Sequence, residues 1–168
     1  MYLLDTHVVS ELRKAKTGQV DPGVMTWASG VARQNLYLSA LSLLELETGV
    51  AQVERKDKAA GAGFRTWLDE QVMRAFEGRI LPVDAAVVKK RGLLPFSDAR
   101  GDRDALLAAT ALVHGLTLVT RNVAAYKSGR VKLFNPWGYT PDVAEDTADW
   151  GQVAKSGPLW LKNLFLRF

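Results

Sequence analysis

The chain opens with MYLLDTHVVSEL (residues 1–12), and the fold turns on how this stretch divides. Met1 to Leu4 is an apolar run of strand length. Tyr2–Leu4 therefore reads as a buried strand, and Thr6–Arg13 as a helix that follows it at once. Asp5 stands at the junction, with Thr6 and His7 behind it. An acid at the mouth of a buried strand either caps the next helix, accepting from its free amides, or contributes to a site.

Outward from there the same alternation recurs. DPGVM (21–25) is a turn signal leading to a helix over 25–33. NLYLSA (35–40) is strand-like and precedes a long helical region from Ser42 to Glu77, with a break expected near AAGAG (59–63). Phe64, Trp67, Leu68, Val72 and Phe76 fall at helical spacing there, and Gly78 is a natural stop. RILPV (79–83) is a third strand and 85–93 a helix. LPFSDARGDRD (94–104) is a polar loop, followed by a helix over 104–114 that Gly115 closes in the position of a left-handed cap. LTLVT (116–120) and VKLF (131–134) add two strands. Short β runs separated by helices predict an α/β domain with a central parallel sheet of about five strands and helices on both faces. One such domain over residues 1–138, without an internal repeat or linker, is expected.

After Asn135-Pro136-Trp137 the character changes. Residues 139–155 are polar and acidic, and PLWLKNLFLRF (158–168) places Trp160, Leu161, Leu164, Phe165 and Phe168 on one helical face. Residues 139–168 are thus expected to form an extension that packs on the domain, with an interface contact second and a membrane-surface anchor third.

The 168 residues are 48% hydrophobic and 24% charged, which suits one globular domain with an ordinary core. No cationic start leads into an apolar run, and no stretch reaches the ~20 apolar residues that cross a bilayer. A cytoplasmic protein with no membrane span is expected. With no cysteine there is neither a disulfide framework nor thiolate chemistry. The net charge of +4 leans toward an anionic partner such as nucleic acid, although many soluble proteins carry as much and bind none.

In parallel α/β sheets the functional edge is the carboxyl end of the strands. Three acids fall at or near it: Asp5 ends the first strand, Glu45 is expected on the first turn of the helix after the second, and Asp104 opens the helix before the fourth. Each has a purely structural explanation. Asp5 suits an N-cap, Ser42-Leu43-Leu44-Glu45 matches a capping box, and Asp102 and Asp104 suit a helix N-terminus. Together they invite another reading, because converging carboxylates repel one another and a divalent cation offsets that repulsion. Mg²⁺ takes oxygen ligands, and such an ion acidifies water and neutralises charge on a phosphate. Two histidines are too few for a His-rich zinc site, and His114 reads as a favourable charge at a helix C-terminus.

LLDTHVVSEL, LSALSLLELETGV, DALLAATALVHGLTLVTRN and FNPW, in that order and spacing, resemble PIN-domain ribonuclease toxins of the VapC/FitB type, over roughly residues 1–138. The resemblance implies a Mg²⁺-dependent endoribonuclease, with Mn²⁺ able to substitute, that hydrolyses RNA by metal-activated water. It implies Asp5, Glu45 and Asp104 as the metal-binding, catalytic acids, Asn122 at a weaker fourth position, and Thr6 and Thr120 as nearby hydroxyls. It also implies a cognate antitoxin partner and a homodimer or a hetero-oligomer with that antitoxin. Arg100, Arg103, Arg121, Lys127 and Arg130 are candidates to grip the RNA backbone, or are simply solvated charges.

Two positions depart from the family pattern. His7 stands where Asn is usual; it is larger and, when protonated, would compete with metal, or it pairs with Asp5, serves as a ligand, or is tolerated at the surface. Asn122 stands where an acid is common, which weakens a second metal site more than the first. Both motivate an alternative, a catalytically weak PIN-fold binding module acting through antitoxin or RNA. An aspartyl-phosphate phosphatase would want a second Asp where His7 stands, and a phosphoacceptor domain a lysine where Arg121 stands.

Overall fold

Alternation along the first strand sends its side chains to two separate cores. In the computed structural model, which describes residues 1–96 and 101–141, β1 spans Tyr2–Leu4. Tyr2 and Leu4 pack into one core and Leu3 into the other. The next strand, β2 (Leu36–Ser39), does the same, with Leu36 and Leu38 on the first side and Tyr37 on the second. With β3 (Ile80–Leu81), β4 (Thr117–Val119) and β5 (Leu133–Phe134) they form one sheet in the order β3-β2-β1-β4-β5, every pairing parallel. Strands buried on both faces in this way read as continuous apolar runs, which is why LLD and TLVT carry no polar alternation.

Helices cover both faces. On the first lie α1 (Thr6–Arg13), α2 (Pro22–Gly30) and α3 (Ala40–Lys56), through Val8, Val9, Leu12, Trp27, Leu46 and Val50. After α3 come α4 (Lys58–Thr66), a π-helical segment (Trp67–Val72) and a last turn, α5 (Met73–Ala75). On the second face α7 (Gly101–Val113) presses close through Ala108 and Ala111, flanked by α6 (Ala85–Gly92) and a 3-10 segment (Val123–Gly129). The expected α/β architecture, with five parallel strands and helices on both sides, is what the chain forms.

Several boundaries differ from the sequence reading, each for a local reason. Helix α2 begins at Pro22, earlier than expected, because Asp21 caps it and accepts from the amides of Gly23 and Val24 at 2.9 and 3.1 Å, with proline at the first helical position. The long helical region breaks at Asp57, just before AAGAG, where Asp57 caps α4 through the Ala60 amide. Gly61 in that stretch is buried against Glu54, where two helices meet closely. Helix α7 starts at Gly101, so Asp104 lies in its first turn. Gly78 and Gly115 adopt left-handed φ of 69° and 64° where helix stops were expected, and the Leu116 amide bonds the Ala111 carbonyl behind Gly115. Among the described residues no helix is long and apolar enough to cross a membrane. The apolar face expected over 160–168 lies outside the described residues.

Candidate active site

The parallel sheet delivers Asp5, Ser39 and Thr120 to one edge, at the carboxyl ends of β1, β2 and β4. Asp5 occupies the N-cap position of α1 but makes no side-chain cap bond. Its carboxylate is turned into the protein: Oδ2 accepts from Thr120 Oγ1 at 2.7 Å, and the residue is only 2% exposed. The other oxygen, Oδ1, is buried and has no hydrogen-bond partner among the described residues. A buried carboxylate oxygen left unbonded costs about 1–3 kcal/mol or more, and native proteins rarely carry one without a use. His7 Nδ1 lies 3.6 Å from Asp5 Oδ2, on a side chain that is 67% exposed.

Glu45 is not the reciprocal member of a capping box. Ser39, three residues earlier than Ser42, caps α3 by accepting from the Leu41 amide. Ser42 is spent on a tertiary contact, donating to the Leu4 carbonyl at 3.3 Å and pinning α3 to β1. Glu45 therefore sits in the second turn, free of its own helix end. One oxygen accepts from Thr6 Oγ1 and the other is ion-paired to Arg103. Glu47, close by in sequence, pairs with Arg65 instead.

Asp104 reaches the same edge from the other face. Its Oδ1 accepts from the Tyr126 hydroxyl at 3.2 Å. Burial pushes the Tyr126 phenol well above its ordinary range. The negative charges of Asp5 and then Asp104, and the bond to Asp104, add to the shift, while Arg103 opposes it. One buried phenol thus feels both acids and the guanidinium that holds Glu45. Tyr126 was missed from sequence, because an aromatic in VAAYKSG reads as core and only the fold turns its hydroxyl to an acid. Asp102, which shares the first turn, is drawn away by Arg91.

The remaining candidates are arranged less tightly. Asn122 is exposed; its amide donates to Thr120 Oγ1 at 3.1 Å, so it helps fix the hydroxyl that holds Asp5. The Arg121 guanidinium lies over the Trp137 ring at 5.5 Å. Lys127 and Arg130 are exposed, Arg130 with a left-handed φ of 51°. Arg100 lies outside the described residues.

A PIN domain family model matches residues 2–129, which takes in Asp5, Glu45, Asp104 and Asn122. The chain belongs to the PIN-domain family. Among relatives of this PIN domain, the VapC ribonuclease Y4jK of Sinorhizobium fredii is 32% identical over 143 residues, covering 82% of the chain and 98% of the relative. The toxin FitB of Neisseria gonorrhoeae is 33% identical over 142 residues, with 82% and 99% covered. Of solved structures, that of FitAcB from Neisseria gonorrhoeae superposes with a TM-score of 0.71 at 30% identity, over 82% of this chain and 99% of that one.

The donor chemistry at the edge fits a hard divalent cation. Carboxylates and threonine hydroxyls supply oxygen only, and Asp5 Oδ1 is a buried anionic oxygen lacking a partner. Yet among the described residues no three acidic or histidine side chains form a ready group for a metal ion. Thr6 and Arg103 between them engage both oxygens of Glu45.

Proposed function

We propose that the protein is a divalent-metal-dependent endoribonuclease toxin of a type II toxin–antitoxin pair. The observation that carries this reading is the buried, unpartnered Oδ1 of Asp5, at an edge that Glu45 and Asp104 also reach. Membership of the PIN-domain family and relatives named as a VapC ribonuclease and a FitB toxin support it. Asp5, Glu45 and Asp104 would hold Mg²⁺, or Mn²⁺ in its place, with Asn122 a weaker fourth contributor. Such an ion, when bound, supplies Lewis acidity that lowers the pKa of water and neutralises charge on a phosphate.

The chain's own groups supply position. Thr120 fixes one oxygen of Asp5, while the other has no hydrogen-bond partner among the described residues. Thr6 orients Glu45, and Tyr126 orients Asp104 without ceding its proton. Arg121, Lys127 and Arg130 offer exposed cations for the RNA backbone. An antitoxin partner is supported by the relatives' complexes, FitAcB and a FitAB assembly bound to a DNA fragment. Self-association as a homodimer and a cytoplasmic location belong to the same reading.

Purified protein should cleave RNA in Mg²⁺, stop on EDTA, and lose activity in Asp5→Asn and in Glu45→Gln. Cleavage that survives EDTA or either substitution would contradict the proposal. His7, which lies 3.6 Å from Asp5 Oδ2, favours a second reading: a weakened enzyme that acts mainly by binding antitoxin or RNA. Under that reading wild type scarcely cuts, and His7→Asn raises both metal affinity and cleavage if position 7 alone is responsible.

A further inference from the structure

Among the described residues, Arg103 holds the one acid of the three whose two oxygens are both engaged. Asp5 keeps Oδ1 unbonded, and Asp104 accepts a hydroxyl bond on Oδ1 from Tyr126. Glu45 is different: Oε1 is ion-paired to Arg103 Nη1 and Oε2 takes the Thr6 hydroxyl. Arg103 precedes Asp104 on α7, so its guanidinium reaches across from one acid-bearing helix to the other. Its side chain is 45% exposed against 22% for Glu45, which leaves room for it to swing outward. Its charge is felt at the Tyr126 hydroxyl as well, within the same acid edge. A guanidinium and a divalent ion on one carboxylate repel each other, so each weakens the other's hold on Glu45.

We propose that Arg103 is a built-in counter-ion that competes with the divalent metal for Glu45 and, once displaced, turns outward to hold the RNA phosphate. The proposal deepens the nuclease reading and rests on it. It gives the edge a fixed positive charge that answers part of the repulsion among the acids. It also makes Arg103 a positioning residue with two opposite effects, against metal in the free protein and for RNA in the loaded one. An arginine suits the second task because its planar fork matches a phosphate.

The test is a calorimetric titration of the full chain with Mn²⁺, using wild type, Arg103→Ala, Arg103→Lys and Asp5→Asn, followed by RNA binding at saturating metal. Arg103→Ala should bind Mn²⁺ about three- to tenfold more tightly, in the range expected for a partly exposed ion pair. It should bind RNA more weakly at saturating Mn²⁺; Arg103→Lys should stay close to wild type for Mn²⁺, where the charge decides, and fall between wild type and Arg103→Ala for RNA, where the fork is lost. Unchanged or weaker Mn²⁺ binding in Arg103→Ala, while wild type binds and Asp5→Asn does not, would overturn this inference and leave the nuclease reading standing. Mn²⁺ binding in none of the proteins would overturn both. Should Arg103→Ala fold poorly, Arg103→Gln removes the charge at similar length and reads the same quantity.

Discussion

Thr120 donates its hydroxyl to Asp5 across the junction of β4 and β1, at 2.7 Å, with both residues buried. Backbone pairing fixes this contact, since the Asp5 amide donates to the Val119 carbonyl at 3.0 Å one residue before Thr120. Thr120→Val keeps the shape but leaves Asp5 with no bonded oxygen in a buried position. The expected loss is about 1–3 kcal/mol of stability, read from urea unfolding. Thr120→Ser should retain most of it. Equal stability of the valine variant would mean that Asp5 is solvated.

Tyr126 predicts an alkaline weakness. Its phenol is raised in the folded protein by burial first and then by Asp5 and Asp104, so the unfolded chain gives up that proton at lower pH than the native state. Above the ordinary phenol range, about pH 10, the unfolded state therefore binds fewer protons and stability falls as pH rises. Below that range the contribution is fully present. Urea midpoints between pH 8 and 11 should show this drop, and Tyr126→Phe should flatten it. An identical profile in the phenylalanine variant would contradict the assignment.

Gly61 and Gly49 separate packing from propensity. A Cβ at Gly61 would lie 2.5 Å from Glu54 Cα, a clash with backbone, whereas one at Gly49 meets nothing within 4 Å. Gly61→Ala should destabilise by about 1–3 kcal/mol as overpacking between α3 and α4. Gly49→Ala, on an exposed helix interior, should stabilise by up to ~1 kcal/mol. Thermal melts of the two variants moving in the same direction would refute the close approach.

Much of this was legible in the sequence because local and tertiary preferences agree there. LLD followed by a helix, and LTLVT after a glycine stop, mean the same thing alone as in the fold. SLLE satisfies a local capping rule by its spacing alone, whereas in three dimensions Ser42 donates to the Leu4 carbonyl and Glu45 takes Thr6 and Arg103. The AAGAG stretch reads as a break by composition, yet Gly61 is there to let two helices touch. Tyr126 and the Arg103–Glu45 pair depend on contacts between separate elements, and no spacing rule along one helix or strand encodes them.

The central claim is that Asp5, Glu45 and Asp104 share a divalent ion, and anomalous diffraction from Mn²⁺-soaked crystals tests it most directly. The account predicts a manganese peak within ligand distance of Asp5 Oδ1 and of carboxylate oxygens from Glu45 and Asp104. A saturated crystal with no peak at that edge, or with manganese bound only elsewhere, would contradict it.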